Sequence, residues 1–225
     1  MNTIDIIKEI AAKNTDIRYF QLISYLGQKD FKNDNSGRWN SEVESIYKNA
    51  IKLRSEFGLP FWNSLMLSNV NNPHWSPLCF EGTSQHNKIT YVCKVTPSEL
   101  EDVDSIFFEG NRKAVNSSVT LYNGEILHLP MLDFHIPYND TNTEIVKYVS
   151  KLIMPSGYIL KSGKSYHLIG DKLFTKEEMI KLLGKALLFS PITDEIWIAH
   201  QLQDKSCSLR FGEKHGIIPT MIFKY

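Results

Sequence analysis

Asp133 and His135, one residue apart in Leu132-Asp133-Phe134-His135-Ile136, form the first pair in this sequence whose types and spacing could do chemistry. In an extended chain successive side chains alternate faces, so the carboxylate and the imidazole share one face while Leu132, Phe134 and Ile136 share the other. One divalent ion could take both, and the end of a strand is a common place for a site in open α/β sheets. An Asp at a strand end also serves as a turn or cap residue, so the pair alone leaves both roles open. A second group lies in Lys161-Ser162-Gly163-Lys164-Ser165-Tyr166-His167. Gly163-Lys164 suits a two-residue reversal, and the hydroxyls of Ser162 and Ser165 with the N–H groups of a tight turn could cradle phosphate oxygens, Lys164 adding a point charge. On the returning strand Ser165, His167 and Ile169 share a face, which places His167 where it could grip a phosphate or move a proton.

Three further positions carry charge in unusual places. Asp194 follows Pro191-Ile192-Thr193 and either caps the helix that starts at Glu195 or serves as a ligand. Arg210 stands between Leu209 and Phe211 in an apolar strand, where a guanidinium needs an anionic partner. Asn111-Arg112-Lys113 is a small basic cluster that could touch a nucleic-acid backbone through Arg112 and Lys113, or simply be a solvated turn. His200 falls on a different helix face from Asp194, and His74, His86, His128 and His215 have no partner at metal-ligand spacing. The sequence contains no Walker loop, G-x-G-x-x-G, G-x-S-x-G or H-E-x-x-H, which removes the commonest nucleotide-binding, hydrolase and zincin patterns.

The elements that must hold these residues read as mixed α and β. Residues 1–60 are expected to be a helical extension: Ile4, Ile7 and Ile10 recur at helix spacing, as do Ile17, Phe20, Ile23 and Leu26, and Ser41-x-x-Glu44 opens a further helix that Gly58 and Pro60 end. A polar loop over 28–38 separates them. Residues 61–225 are expected to be an α/β core, β-rich from Phe61 onward. Strands are expected at Ile89 to Val95, Ser105 to Glu109 and Ser118 to Tyr122, with a hairpin at Asn123-Gly124. The nearly apolar run from Leu127 to Ile136 reads as one central, two-sided strand. A helix from Thr143 to Ile153, the hairpin from Tyr158 to Gly170, a helix capped by Thr175-x-x-Glu178, a helix after Asp194 and a strand at Ser206 to Phe211 complete the order.

Composition narrows the function classes. With 225 residues, 42% of them hydrophobic, the chain can bury a large core; its 25 basic and 25 acidic residues give a net charge of zero, so any nucleic-acid surface must be a local patch. Three dispersed cysteines form no disulfide framework or zinc knuckle, and no apolar run approaches a membrane span. A cytoplasmic protein without membrane contact is expected.

Taken in chain order, an hhDh-type strand, an S-G-x-S-x-H hairpin and an apolar stretch reaching an Asp resemble the three signature motifs of the archaeo-eukaryotic primase (primase-polymerase) superfamily, in a divergent bacterial primase-like form. The resemblance runs over about residues 105–215. It implies an α+β fold, an RRM-like mixed sheet with flanking helices. It implies Asp133 and His135 in motif one, Ser165-Tyr166-His167 in motif two, and Asp194 in motif three, with Asp204 as the other possibility. Asp133, His135 and Asp194 would then hold magnesium or manganese, and Ser162, Gly163, Lys164, Ser165, His167 and Arg210 would bind a nucleoside triphosphate. The family places a second carboxylate where this chain has His135, and an imidazole there favours manganese or a single ion. The function implied is a metal-dependent nucleotidyltransferase extending a single-stranded or primed nucleic acid or starting a primer. The alternatives are a degenerate primase fold that binds nucleic acid or nucleotide inside a larger complex, its N-terminal helices docking on a protein partner, and a metal-dependent phosphodiesterase using Asp133, His135 and His167.

Overall fold

The computed structural model describes residues 1–25, 41–68, 89–107, 112–214 and 216–225. The chain divides into two compact units, one made of Met1–Tyr25 with Thr90–Tyr225 and the other of Leu26–Ile89. This replaces the division expected at residue 60, because the first 25 residues belong to the large unit.

Helix α1 (Thr3–Lys13) starts at a capping box in which Asn2 and Asp5 exchange side chain-to-backbone hydrogen bonds, and it buries Ile4, Ile6, Ile7 and Ile10. The next segment corrects the helical expectation: Ile17–Tyr25 is strand β1, antiparallel to β3 (Arg112–Leu121). Register shifts between Ile17 and Tyr19 and between Phe20 and Gln21 break the two-residue alternation, which leaves an apolar spacing that imitates a helix. Strand β2 (Ile89–Val95), expected as a strand, flanks β1. The other edge of β3 is shared, with β8 (Ser208–Arg210) along Ala114–Asn116 and β4 (Ile126–His128) along Ser118–Thr120. The expected Asn123-Gly124 turn joins β3 to β4, with Gly124 at a φ of 88°.

The run from Leu127 to Ile136 is two strands rather than one. It leaves the first sheet after β4, passes Leu129-Pro130, and enters a second sheet as β5 (Met131–Asp133). Leu129 donates its N–H to Ser117 in the first sheet at 2.7 Å, and the Pro130 carbonyl accepts from Gly170 in the second at 2.8 Å. The crossing residues 128–132 are all buried, which is why the run is nearly apolar.

The second sheet has the order β5-β7-β6-β9, with β6 (Gly157–Lys161), β7 (Tyr166–Gly170) and β9 (Thr220–Lys224), and every pairing is antiparallel. Helix α4 (Asp140–Ile153) lies on the face carrying Tyr166, whose hydroxyl meets Thr143 at 2.9 Å and the backbone of Asn139. Helices α5 (Lys176–Leu187), with the expected Thr175–Glu178 capping box, and α6 (Glu195–Asp204), capped by Asp194, follow. Ser98–Ile106 is 3-10 helix, not the expected strand over 105–109, whose last two residues lie outside the described ones. No helix among the described residues is long and apolar enough to cross a membrane.

The smaller unit contains α2 (Ser41–Phe57) and α3 (Phe61–Ser68), packed through Ile46, Ala50 and Leu65 with Phe61 and Trp62. The expected helix from Ser41 is present and ends at Gly58, whose φ of 65° suits glycine. Residues 61–68 are helical where β structure was expected. The polar loop over 28–38, His74 and His86 lie outside the described residues.

Candidate active site

The site is built by three neighbouring stretches of backbone. Asp133 pairs directly with His167 across β5 and β7. On the other side of β5 the segment 192–194 runs antiparallel: Phe134 bridges Thr193, the Asp194 N–H donates to the Asp133 carbonyl at 3.0 Å, and the His135 N–H donates to Ile192 at 2.9 Å. Opposed residues share a face, so His167, Asp133 and Asp194 stand in one row. Asp194 also caps helix α6, its side chain accepting from the Trp197 N–H at 2.8 Å. Asp204 is not in the row; it ends helix α6, about 15 Å along the axis from Asp194.

Charge in the row is unbalanced in a specific way. Burial, and then the adjacent Asp194 carboxylate, raise Asp133 to about 8, against the opposing pull of the Phe134 N–H, Lys214 and Arg210. Burial, with Arg210 and Lys214 nearby, lowers His167 to about 3. The imidazole and the carboxyl group face each other, with His167 Nε2 3.8 Å from Asp133 Oδ1, while His167 Nδ1 is buried with no hydrogen-bond partner among the described residues. Both groups are therefore neutral near pH 7, a state that an added cation or phosphate would change.

His135 sits differently from its expected role. Its Nδ1 lies 3.6 Å from Asp194 Oδ2, but its side chain is 70% exposed. Among the described residues no three His, Cys, Asp or Glu side chains gather as one metal-binding group, so the expected set of Asp133, His135 and Asp194 does not close. Two adjacent carboxylates with open positions are the donor set that magnesium and manganese use when phosphate oxygens and water fill the rest of the shell.

The hairpin forms as expected around Gly163-Lys164: Ser162 donates its N–H to Ser165 at 3.0 Å, and Gly163 has a φ of 122°. One of its expected phosphate contacts, the Ser165 hydroxyl, is used within the protein. The Ser165 hydroxyl donates to the Phe134 carbonyl, and the Ser162 carbonyl accepts from Arg210. Lys164 is exposed, and its charge is felt at Lys214. Arg210 is buried, forms no salt bridge with a carboxylate among the described residues, and donates to the carbonyls of Ser162, Gly212 and, at 3.0 Å, Ile217.

Two residues at the site carried no sequence signal. Lys214 is held below its usual value by burial and by Arg112, Arg210 and Lys164, with Asp133 opposing. Tyr25, at the end of β1 and paired with Arg112, is buried, which raises its hydroxyl; Arg112, Arg210 and Asp133 are its charged neighbours. Tyr25 was concealed by the helix-like spacing of β1, and Lys214 lies in a turn whose return the sequence does not announce. Arg112 thus joins the cations at the site, whereas the Lys113 ammonium lies 5.6 Å over Phe107. A cavity of about 770 Å³ opens next to Arg112 and Lys214, lined also by Leu100, Val103, Phe211 and Ile218. Its volume falls in the range of small-molecule sites.

The family model for archaeo-eukaryotic primase 1D-like proteins matches residues 95–221, more than half of the chain. The chain belongs to the archaeo-eukaryotic primase-like family. The match covers β3 through the start of β9, and with them the whole row of this primase-like chain. No curated protein and no solved structure matches it.

Asp194 caps helix α6, and the expected ligand role can be tested separately from the cap. Asp194→Ala is expected to cost about 1 kcal/mol through loss of the helix cap, whereas Asp194→Asn keeps the cap. Both should weaken manganese binding alike, so thermal unfolding and a manganese titration on the two variants distinguish cap from ligand.

Proposed function

We propose that this chain is a nucleotidyltransferase: it joins the α-phosphorus of a nucleoside triphosphate to the 3′-hydroxyl of a nucleic-acid strand, or of a first nucleotide, and releases pyrophosphate. The observation that carries the reading is the row of His167, Asp133 and Asp194 with Arg210 and Lys214 close to it, and Arg112 and Lys164 close to Lys214. A carboxylate pair beside concentrated positive charge suits a triphosphate better than a neutral substrate.

Asp133 and Asp194 would hold magnesium or manganese, and the ion when bound would offset charge on the triphosphate and favour ionisation of the attacking hydroxyl. Lys164, Lys214 and Arg112 supply the opposing charge for the phosphates. His167, kept neutral by its surroundings, can donate one N–H to a phosphate oxygen without adding charge. His135 stands at the exposed end of the row against Asp194, where it can add a nitrogen ligand that suits manganese. We read the four-stranded sheet with α4 against it as the RRM-like half of the fold, and single-stranded or primed nucleic acid as the second substrate.

The absence of a second carboxylate at position 135 favours one other reading, a primase-fold module that binds nucleotide or nucleic acid without turnover. Its protein partner would meet α2 and α3, where Phe57, Met66 and Leu67 are exposed. Incubation with labelled nucleoside triphosphates, a primed or unprimed single strand and either magnesium or manganese separates the two. Extension or primer products support the transferase; tight binding with no product in either ion supports the module.

A further inference from the structure

Arg210 ends β8 in the first sheet, paired with Ala114, yet its guanidinium works outside that sheet. One terminal nitrogen donates to the carbonyls of Gly212 and Ile217, and the other donates to the carbonyl of Ser162 at the tip of the β6–β7 hairpin. Ser162 opens the turn that carries Lys164. Gly212 and Ile217 flank the turn that carries Lys214, which is closed by reciprocal backbone hydrogen bonds between Lys214 and Ile217 at 3.0 and 3.1 Å. A Cβ built on Gly163 would stand 3.9 Å from the guanidinium, so the hairpin tip is seated against it.

A guanidinium is planar and directs several N–H groups along fixed lines, which an ammonium cannot do. Bonds from a charged donor to backbone carbonyls are among the stronger hydrogen bonds in a protein. Here they join two turns that are far apart in sequence and lie beside one carboxylate, Asp133.

We propose that Arg210 is a positioning residue, a buried brace that fixes the Ser162–Ser165 and Gly212–Ile217 turns, and so places Lys164 and Lys214 for a polyphosphate that Arg210 does not itself contact. The proposal rests on the nucleotide reading for its ligand but not for its geometry. Its ligand chemistry is a chain of linked phosphates, and inorganic tripolyphosphate is a sufficient probe.

Arg210→Lys and Arg210→Gln separate bracing from charge, because Lys keeps the charge and loses the fork. On the full chain, hydrogen exchange at the amides of Ser162, Lys214 and Ile217 is read beside tripolyphosphate affinity. Both variants are expected to exchange these three amides at least about tenfold faster and to bind tripolyphosphate about tenfold more weakly. Lys214→Ala is expected to weaken binding with exchange at Ser162 unchanged. Retained affinity in Arg210→Lys with a loss in Arg210→Gln would overturn the proposal, since charge would then act directly. Unchanged exchange in Arg210→Lys would overturn it as well, and that readout stands even where Arg210→Gln fails to fold. Should the unaltered protein not bind tripolyphosphate, the nucleotide reading fails while the exchange data still decide the brace.

Discussion

Asp133→Asn is expected to lower nucleotide addition roughly a thousandfold or more while making the protein more stable. The side chain is held among Asp194, His167 and largely apolar strand neighbours, and its proton is retained to about 8 against an ordinary value of 3.8. The unfolded chain ionises that carboxyl from pH 3.8 upward, whereas the folded chain does so only near pH 8. Stability therefore falls as pH rises through this interval, because the folded state binds the extra proton. Asn matches the shape of the protonated acid and carries no such liability. At pH 8 the gain should be on the order of 2 kcal/mol, or roughly 4–8 °C in Tm for a chain of this size, and it should vanish near pH 4. His167 acts at the acid end with the opposite sign: its value of about 3 against 6.5 gives stability that is present above pH 6.5 and lost as pH falls towards 3. Thermal unfolding of both proteins across pH 4–8, with incorporation of labelled nucleotide measured in parallel, checks the account. A variant that is both inactive and less stable at pH 8 would contradict it.

His135→Asp is expected to shift the preferred ion from manganese towards magnesium. The present imidazole is an intermediate-softness donor at the exposed edge of the row, 3.6 Å from Asp194, and magnesium prefers oxygen. A carboxylate there would add one negative charge beside Asp194, so magnesium-supported addition should rise about tenfold relative to manganese-supported addition, the equivalent of about 1.4 kcal/mol. Fold stability should change little because the side chain is exposed. The check is the ratio of rates in the two ions for the two proteins. An unchanged ratio would place His135 outside ion binding.

What the sequence made legible was local. The β6–β7 hairpin is announced by Gly163-Lys164 between alternating strands, and the Thr175 and Asp194 caps by hydroxyl or carboxyl groups before apolar runs; each signal is contained within a few residues. Asp133 and His167 could be picked out by strand alternation, and Asp194 only by its place in the third motif of the family that the chain resembles. What stayed hidden depends on distant partners. The bulged pairing of β1 with β3 turned strand spacing into apparent helix spacing, and the chain crosses between sheets at Pro130, which hydropathy cannot distinguish from a central strand. Tyr25 and Lys214 reach the site only because β1, β3 and the turn after β8 come together in three dimensions. Arg210 shows the same lesson in another form: its burial in an apolar strand was readable, but its partners are backbone carbonyls of remote turns, not the anion its charge suggested.

The central claim is that Asp133 and Asp194 form one ion site through which a nucleoside triphosphate is held. Electron paramagnetic resonance of added manganese measures this directly, with and without a non-hydrolysable nucleoside triphosphate, on the unaltered protein and on Asp133→Asn and Asp194→Asn. The account predicts one manganese site per chain that tightens when the nucleotide is added and is lost in either variant. Manganese binding that survives both substitutions, or nucleotide binding that is indifferent to manganese, would contradict it.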